Sequence, residues 1–319
     1  MACPSGCPSF PTCRESKEIL RDESFGVTLW DKKMAVIMDG KGLGLTIRKE
    51  LSAQVAFLKK DKGITPGLAA ILVGEDAASK MYVSMKRKAC QEAGIFSQEF
   101  RIEAGVNEAQ LVELIERLND DARFHGILVQ LPLPPGIDTD KVLDAVSASK
   151  DVDGLHPINV GRLFMGRPYL NPCTPYGVIK LLEHYQIDFP GKVAVVVGRS
   201  NIVGRPLSVM LLHRHCTVMV CHTRTRDLAK WTREADILVA AAGRPEMIKG
   251  DMIKEGAAVV DVGINRLADG KLVGDVEFAS AAQVAGLISP VPGGVGPMTI
   301  AMLLSNTVEA AQRQAGFGS

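Results

Sequence analysis

From Val36 onward the chain alternates between two hydrophobic rhythms. One repeats every three to four residues, as an amphipathic helix requires; the other is an unbroken apolar run, as in a strand buried on both faces. Leu43, Ile47, Leu51, Val55 and Leu58 share one side and predict a helix over 43–60. The run LAAILV at 68–73 predicts a buried strand, followed by a helix at 78–93 stopped by Gly94. A strand at 97–102, a helix at 107–121, a strand at 126–130 and a helix at about 138–147 continue the series, with Pro132, Pro134 and Pro135 breaking the last strand. A second series starts near Thr174. Helices at 175–186, 203–214, 226–234 and 249–255 alternate there with strands at 193–197, 217–222, 236–240 and 257–262. Residues 285–289 lead into the stretch PVPGGVGPMT and a last helix at about 298–315. Strand–helix alternation of this kind predicts an α/β protein whose sheets are parallel.

Composition narrows the class. A chain of 319 residues has room for about two domains. Thirty-seven basic residues nearly cancel thirty-six acidic ones, so there is no one-signed field of the kind a nucleic-acid or polybasic membrane binder uses. No apolar run reaches the roughly 18–20 residues of a spanning helix. Seven Cys, three of them at 3, 7 and 13, imply no disulfide framework in a chain of this size; a reducing compartment, the cytoplasm, is the expectation. Residues 1–33 carry neither a signal-peptide apolar core nor the acid-poor character of a transit peptide. They are expected to be a disordered extension, or to precede a functional start near Met34 or Met38. Cys3, Cys7 and Cys13 match no metal-ligand spacing. His213, His215 and Cys216 suit a helix C-terminus better than a metal. No metal is expected.

Two constellations carry chemistry. Gly198-Arg199-Ser200-Asn201-Ile202-Val203-Gly204 follows a buried strand and opens a helix. That is the setting of a dinucleotide turn, where glycine lets the backbone approach a pyrophosphate and free N–H groups attract its charge. Ser200 replaces the second glycine of the usual pattern and the last glycine comes one residue late, so a ligand-free turn stays open on these residues alone. The next strand ends in Cys221-His222-Thr223-Arg224-Thr225. It lacks the acid that would accept from an NAD ribose, and with Arg199 it offers cations for a 2′-phosphate, so NADP is expected over NAD. The second constellation is Tyr82 and Lys86, four residues apart on one helical face, with Ser79 a turn earlier. A lysine at the margin of a buried face can move protons, though a solvated basic helix is the alternative, with Lys80, Arg87 and Lys88 close by.

Six segments in order resemble the bifunctional methylenetetrahydrofolate dehydrogenase/methenyltetrahydrofolate cyclohydrolase family: YVSMK at 82–86, VQLPLP at 129–134, KDVDG at 150–154, GRSNIVGRP at 198–206, DVGIN at 261–265 and PVPGGVGP at 290–297. They span about 36–315. The resemblance implies two α/β domains with parallel sheets, the second a Rossmann-like NADP-binding domain, and a folate cleft between them. Residues 34–174 would form the folate domain, completed by a last helix at 297–316, and 175–296 the cofactor domain. The implied reactions are oxidation of 5,10-methylenetetrahydrofolate by NADP, then hydrolysis of the methenyl cation to 10-formyltetrahydrofolate. Hydride transfer asks for alignment in a dry gap; the hydrolysis asks for proton handling.

By the same resemblance Lys86, Tyr82, Gln130 and Asp153 form the catalytic set. Gln130 would orient Lys86, Tyr82 would stack on the aminobenzoyl ring, and Asp153 would accept from the pterin donors. Ser79, Val129, Leu131, Pro292, Gly293, Gly294, Val295 and Gly296 would complete the folate site. Gly198, Arg199, Ser200, Gly204, Thr223, Arg224 and Ile264 would hold NADP. The family implies a homodimer formed through the cofactor domain. Two other readings compete: a dehydrogenase without useful cyclohydrolase activity, and a folate- or NADP-sensing module without turnover. Intact Lys86, Gln130 and Asp153 argue against the first, and Lys86 against the second, since a pure binder has no need of a proton-transfer lysine.

Overall fold

A computed structural model describes residues 34–317; the expectations for residues 1–33, including Cys3, Cys7 and Cys13, lie outside them. The described chain opens with β1 (Val36–Ile37) and the long helix α1 (Gly40–Lys62). There follow β2 (Gly67–Val73), α2 (Ala77–Ala93), β3 (Phe96–Ile102), α3 (Glu108–Asp120), β4 (Gly126–Val129) and α4 (Thr139–Asp144). Helices α5 (Pro157–Phe164) and α6 (Cys173–His184) lead to β5 (Val193–Val197), α7 (Gly204–Leu212), β6 (Thr217–Cys221), α8 (Leu228–Thr232), β7 (Ile237–Ala240) and β8 (Ala258–Asp261). The hairpin β9 (Asn265–Arg266) and β10 (Leu272–Val273), the single turn α9 (Phe278–Ala281), β11 (Leu287–Ile288) and α10 (Val295–Gln314) complete it.

The strands form two parallel sheets and the small antiparallel hairpin. The first sheet has the order β3-β2-β4; the second has six strands in the order β1-β11-β8-β7-β5-β6. The apolar runs are explained by burial on both faces. In β2 and β4, Leu68, Ala70, Leu72 and Leu128 face α1, α2 and α10, while Ala69, Ile71, Ile127 and Val129 face α3 and α4 through Leu111, Ile115 and Val142. In the larger sheet Ala194, Val196, Val239 and Val260 pack on α6 and α7. Val195, Val197, Leu238 and Val259 pack on the opposite layer, around Ala281 and Leu228.

Helix boundaries follow local chemistry. The Asp39 and Asp76 carboxylates accept from Gly42 N–H and Ser79 N–H at the starts of α1 and α2. Asn107 and Gln110 form a reciprocal capping box on α3. Gly63 and Gly94 end α1 and α2 in the left-handed region.

Helix α10 joins the two layers. Its first turn, at Val295, lies in the core of the larger sheet, and Ile300 to Ala310 lie in the core of the smaller one. Among the described residues no helix is long and apolar enough to cross a membrane.

Four features depart from the sequence pattern. The helix expected at 249–255 is one 3₁₀ turn, Gly250–Met252, flanked by extended Lys249 and Ile253; Gly250 is pressed onto Ser280, where a side chain would not fit. Helix α10 starts at Val295 rather than at Pro297. Pro297 thus falls in the first turn, where a missing N–H costs no intrahelical bond. Helix α5 and the β9–β10 hairpin were not expected, although Pro157 after the capping residue His156 and the Asp269-Gly270 pair carry their signals. Finally, β1 pairs with β11 and so belongs to the larger sheet, 251 residues from its partner in register, Val36 with Leu287 and Ile37 with Ile288.

Candidate active site

The chemistry gathers at the carboxyl ends of the parallel strands, as open α/β sheets dictate. After β2, Gly74 turns the chain at φ 81° and Asp76 starts α2. Tyr82 and Lys86 then project from one face of α2 into a cavity of about 410 Å³. Gln130 stands just beyond β4, its backbone N–H donating to Ile71 O at 2.9 Å. Its side chain is held at both ends: Lys86 Nζ donates to Gln130 Oε1 at 2.9 Å, and Gln130 Nε2 donates to Leu131 O at 2.7 Å. The amide therefore presents its oxygen, not its nitrogen, to the lysine. Burial pushes the Tyr82 hydroxyl above its usual pKa, against the opposing charge of Arg266.

The two acids of the KDVDG segment differ. Asp151 is buried and structural: Oδ1 accepts from Gly154 N–H and Leu155 N–H, and Oδ2 from His156 N–H and Asn159 Nδ2 at 2.8 Å each. Asp153 is half-buried. Loss of hydration raises its carboxyl above the usual range, and the Lys86 charge opposes that shift. Asp153 O accepts from Cys173 N–H, and Asn306 Nδ2 ties the adjacent carbonyls of Val152 and Asn171 to α10 at 2.8 Å each.

Opposite α2 runs the loop after β11. Pro292, Gly293, Gly294, Val295 and Gly296 line an apolar hollow of about 150 Å³ with Tyr82, Met81 and Ile264. Tyr82, Ile264, Val295 and Gly296 also line the 410 Å³ cavity, so the two form adjoining parts of one cleft. Thr174 and Thr299, whose hydroxyls meet at 3.0 Å, form part of its wall.

The nucleotide turn borders a separate cavity of about 330 Å³ lined by Gly198, Arg199, Ser200, His222, Thr223 and Thr225. Gly198 has φ 130°, and a Cβ there would collide with the Ala241 carbonyl. Gly204 is buried and does not line the cavity; its bare Cα lets the start of α7 rest on the Gly198 carbonyl. Ser200 Oγ accepts from Val203 N–H at 3.1 Å, fixing the turn. These groups suit a dinucleotide phosphate: backbone without side chains, hydroxyls, the exposed cation of Arg199, and no carboxylate among the lining residues.

Not every expected residue reaches a cavity. Ser79 is buried, and its N–H serves the cap of α2. Val129 is buried in the sheet core, and Leu131 contributes the carbonyl that holds Gln130. Arg224 does not line the cofactor cavity; its N–H donates to His222 Nδ1. Ile264 lines the substrate cleft. His213 is the C-cap of α7, and Cys216 Sγ donates to Phe189 O.

The cavities also use residues the sequence reading passed over: Thr174, Thr299 and Arg266 in the cleft, and Arg244 and Met247 beside the nucleotide turn. Arg244 could have been found as a cation on the loop after β7. Thr174 and Thr299 meet only through the fold.

A two-sheet α/β chain with a dinucleotide turn on one sheet and a lysine-bearing cleft against it defines a nucleotide-dependent enzyme of small-molecule metabolism. Comparison with known proteins narrows that class. Residues 38–153 match the family model "Tetrahydrofolate dehydrogenase/cyclohydrolase, catalytic domain", and residues 172–315 match "Tetrahydrofolate dehydrogenase/cyclohydrolase, NAD(P)-binding domain". The chain belongs to the tetrahydrofolate dehydrogenase/cyclohydrolase family. It is 61% identical to the bifunctional protein FolD of Pelobacter propionicus over 280 residues, covering 88% of this chain and 99% of that one. The crystal structure of the bifunctional FolD enzyme of Campylobacter jejuni superposes with a TM-score of 0.86 at 52% identity, covering 88% and 99% of the two chains. The Trypanosoma brucei enzyme, solved with NADP cofactor and an inhibitor, gives 0.86 at 41% identity with the same coverage.

Proposed function

We propose how the residues of this cleft divide the two reactions of the family. The enzyme oxidises 5,10-methylenetetrahydrofolate to the 5,10-methenyl cation with NADP and hydrolyses that cation to 10-formyltetrahydrofolate. The observation that carries the assignment is the Lys86–Gln130 pair, one proton-transfer lysine on one rigidly held amide, facing the cleft.

NADP⁺, when bound, would supply the acceptor for the hydride leaving the methylene carbon. Gly198 and Ser200 would hold it through backbone approach and a hydroxyl, and Arg199, Thr223 and Arg224 would favour its 2′-phosphate. Gly204 keeps the turn closed, and Ile264 separates the cofactor side from the folate side. Tyr82 offers the aromatic face for the aminobenzoyl ring, and the loop Pro292–Gly296 forms the opposing apolar wall. Asp153 accepts from the pterin donors, with Val129 and Leu131 as backbone support behind Gln130. In the hydrolysis, water forms a C–O bond to the cationic carbon and gives up one proton; the bond from that carbon to N5 then breaks, the hydroxyl proton passes to N5, and the formyl group stays on N10. Lys86 is the group placed to receive the first proton, because its amine faces the cleft and is fixed on the Gln130 amide. Gln130 Oε1 fixes the amine against the reacting carbon.

The division into a folate domain at 34–174, closed by the last helix, and a cofactor domain at 175–296 is supported by the two separate sheets, save that β1 (Val36–Ile37) pairs into the larger one. Self-association through the cofactor domain is supported by the open edge of the larger sheet at β6, where Val220 is exposed, and by exposed Phe164 and Met165 at the end of α5 and Leu212 on the neighbouring α7. A cytoplasmic setting is supported by the free, buried thiols that the described residues hold at Cys90, Cys173, Cys216 and Cys221.

The test is one preparation given methylenetetrahydrofolate with NADP⁺ or NAD⁺, and separately the methenyl species. NADPH formation with accelerated methenyl decay supports the assignment. NADPH formation with methenyl accumulating at the uncatalysed decay rate leaves a dehydrogenase alone.

A further inference from the structure

Asp275 is fully buried at the base of the β9–β10 hairpin and lines neither the cleft nor the cofactor cavity. Its carboxylate nevertheless accepts four hydrogen bonds. Oδ2 takes the N–H groups of Ala242 and Gly243 at 2.6 and 2.8 Å; Oδ1 takes the Arg244 N–H and Asn265 Nδ2 at 2.9 Å each. Three successive backbone N–H groups closing on one carboxylate fix the loop after β7 in a single shape. That loop is a wall of the cofactor cavity, through Ala242 and Arg244. Asn265 follows Ile264, which lines the substrate cleft with Tyr82 and Lys86.

A second carboxylate anchors the first. Asp261 Oδ1 accepts from Asp275 N–H at 2.9 Å and Gly263 N–H at 3.0 Å, and Oδ2 from Val276 N–H at 2.9 Å. The packing is so close that a Cβ on Gly263 would meet the Asp275 carboxylate, and one on Gly274 the Asp261 carboxylate.

We propose that Asp275 is a positioning residue for the oxidation step. It holds the cofactor wall and the Ile264 wall in one fixed relation, so that nicotinamide and methylene carbon meet. Hydride transfer depends steeply on such placement. Hydrolysis of the methenyl cation needs no nicotinamide, and its Lys86–Gln130 pair is held by α2 and the Leu131 carbonyl rather than by this brace. The proposal rests on the site assignment above.

The test uses the full chain carrying Asp275→Asn, with both activities measured on the same preparation. An amide keeps one acceptor oxygen and turns an NH₂ group toward N–H donors. Expected are an NADP KM raised at least tenfold and an oxidation kcat lowered at least tenfold, with methenyl hydrolysis within twofold of wild type. Asn265→Ala removes only the bond toward the substrate wall; its oxidation kcat should fall severalfold while the NADP KM stays within twofold.

Equal losses of both activities in Asp275→Asn, or no loss in either, overturn the proposal. If Asp275→Asn does not fold, an unchanged oxidation kcat in Asn265→Ala overturns it alone. A wild-type protein that fails to oxidise methylenetetrahydrofolate would instead refute the site assignment.

Discussion

Replacing Gln130 tests the lysine through the side chain to which it is hydrogen-bonded. In Gln130→Ala, Lys86 loses a 2.9 Å hydrogen bond to an oxygen whose orientation is set by the 2.7 Å bond from Gln130 Nε2 to Leu131 O. A hydrogen bond to a charged group is worth about 1.5–3 kcal/mol. If it is made fully in the hydrolytic transition state, its loss slows methenyl hydrolysis roughly ten- to 150-fold. Gln130→Glu sharpens the test. A carboxylate at that distance favours the ammonium form of Lys86, so the pH–rate profile of hydrolysis should move to higher pH and the rate at neutral pH should fall further than in Gln130→Ala. The assay is loss of methenyl absorbance over a range of pH, with uncatalysed decay subtracted. Wild-type rates in Gln130→Ala, or an unmoved profile in Gln130→Glu, would refute the role given to the pair.

Three further outcomes are expected. Gly198→Ala forces a side chain into φ 130° and against the Ala241 carbonyl, a strain of about 1–3 kcal/mol that should appear as a raised NADP KM; an unchanged KM would contradict the close approach. Arg199→Ala should raise the KM for NADP more than that for NAD, and more than Arg224→Ala does, because Arg199 lines the cofactor cavity and Arg224 does not; equal effects on both cofactors would sink the 2′-phosphate argument. Burial pushes the Asp261 carboxyl up to about 6, with the Asp275 charge adding to it. The folded chain therefore keeps a proton that the unfolded chain loses near pH 4, and this contribution fades as pH rises through 6, by about 3 kcal/mol. Wild type should lose stability relative to Asp261→Asn between pH 4 and 7 in urea unfolding, and a pH-independent difference would contradict the burial argument.

Most of the fold could be read from the chain because the strands are buried on both faces. Short runs such as 68–73 and 193–197, flanked by glycines, suit a strand buried on both faces, and Gly63 and Gly94 mark helix ends locally. What escaped was set by distant partners. Two residues, Val36 and Ile37, cannot show in sequence that they will pair with Leu287 and Ile288. The 3₁₀ turn at Gly250–Met252 takes its shape from Ser280 rather than from its own helix propensity. In the site, Tyr82 and Lys86 were legible because they lie on one helix, and the nucleotide turn because it follows a strand. Thr174 with Thr299, and Asp275 with the loop after β7, were not, since no spacing connects residues that only the tertiary structure brings together.

The measurement that bears most directly on the account is Lys86→Ala assayed for both reactions at once. The variant should still form NADPH from methylenetetrahydrofolate, with methenyl accumulating and decaying at the uncatalysed rate. Methenyl decay at the wild-type rate in that variant would contradict the assignment of Lys86 as the proton-transfer group.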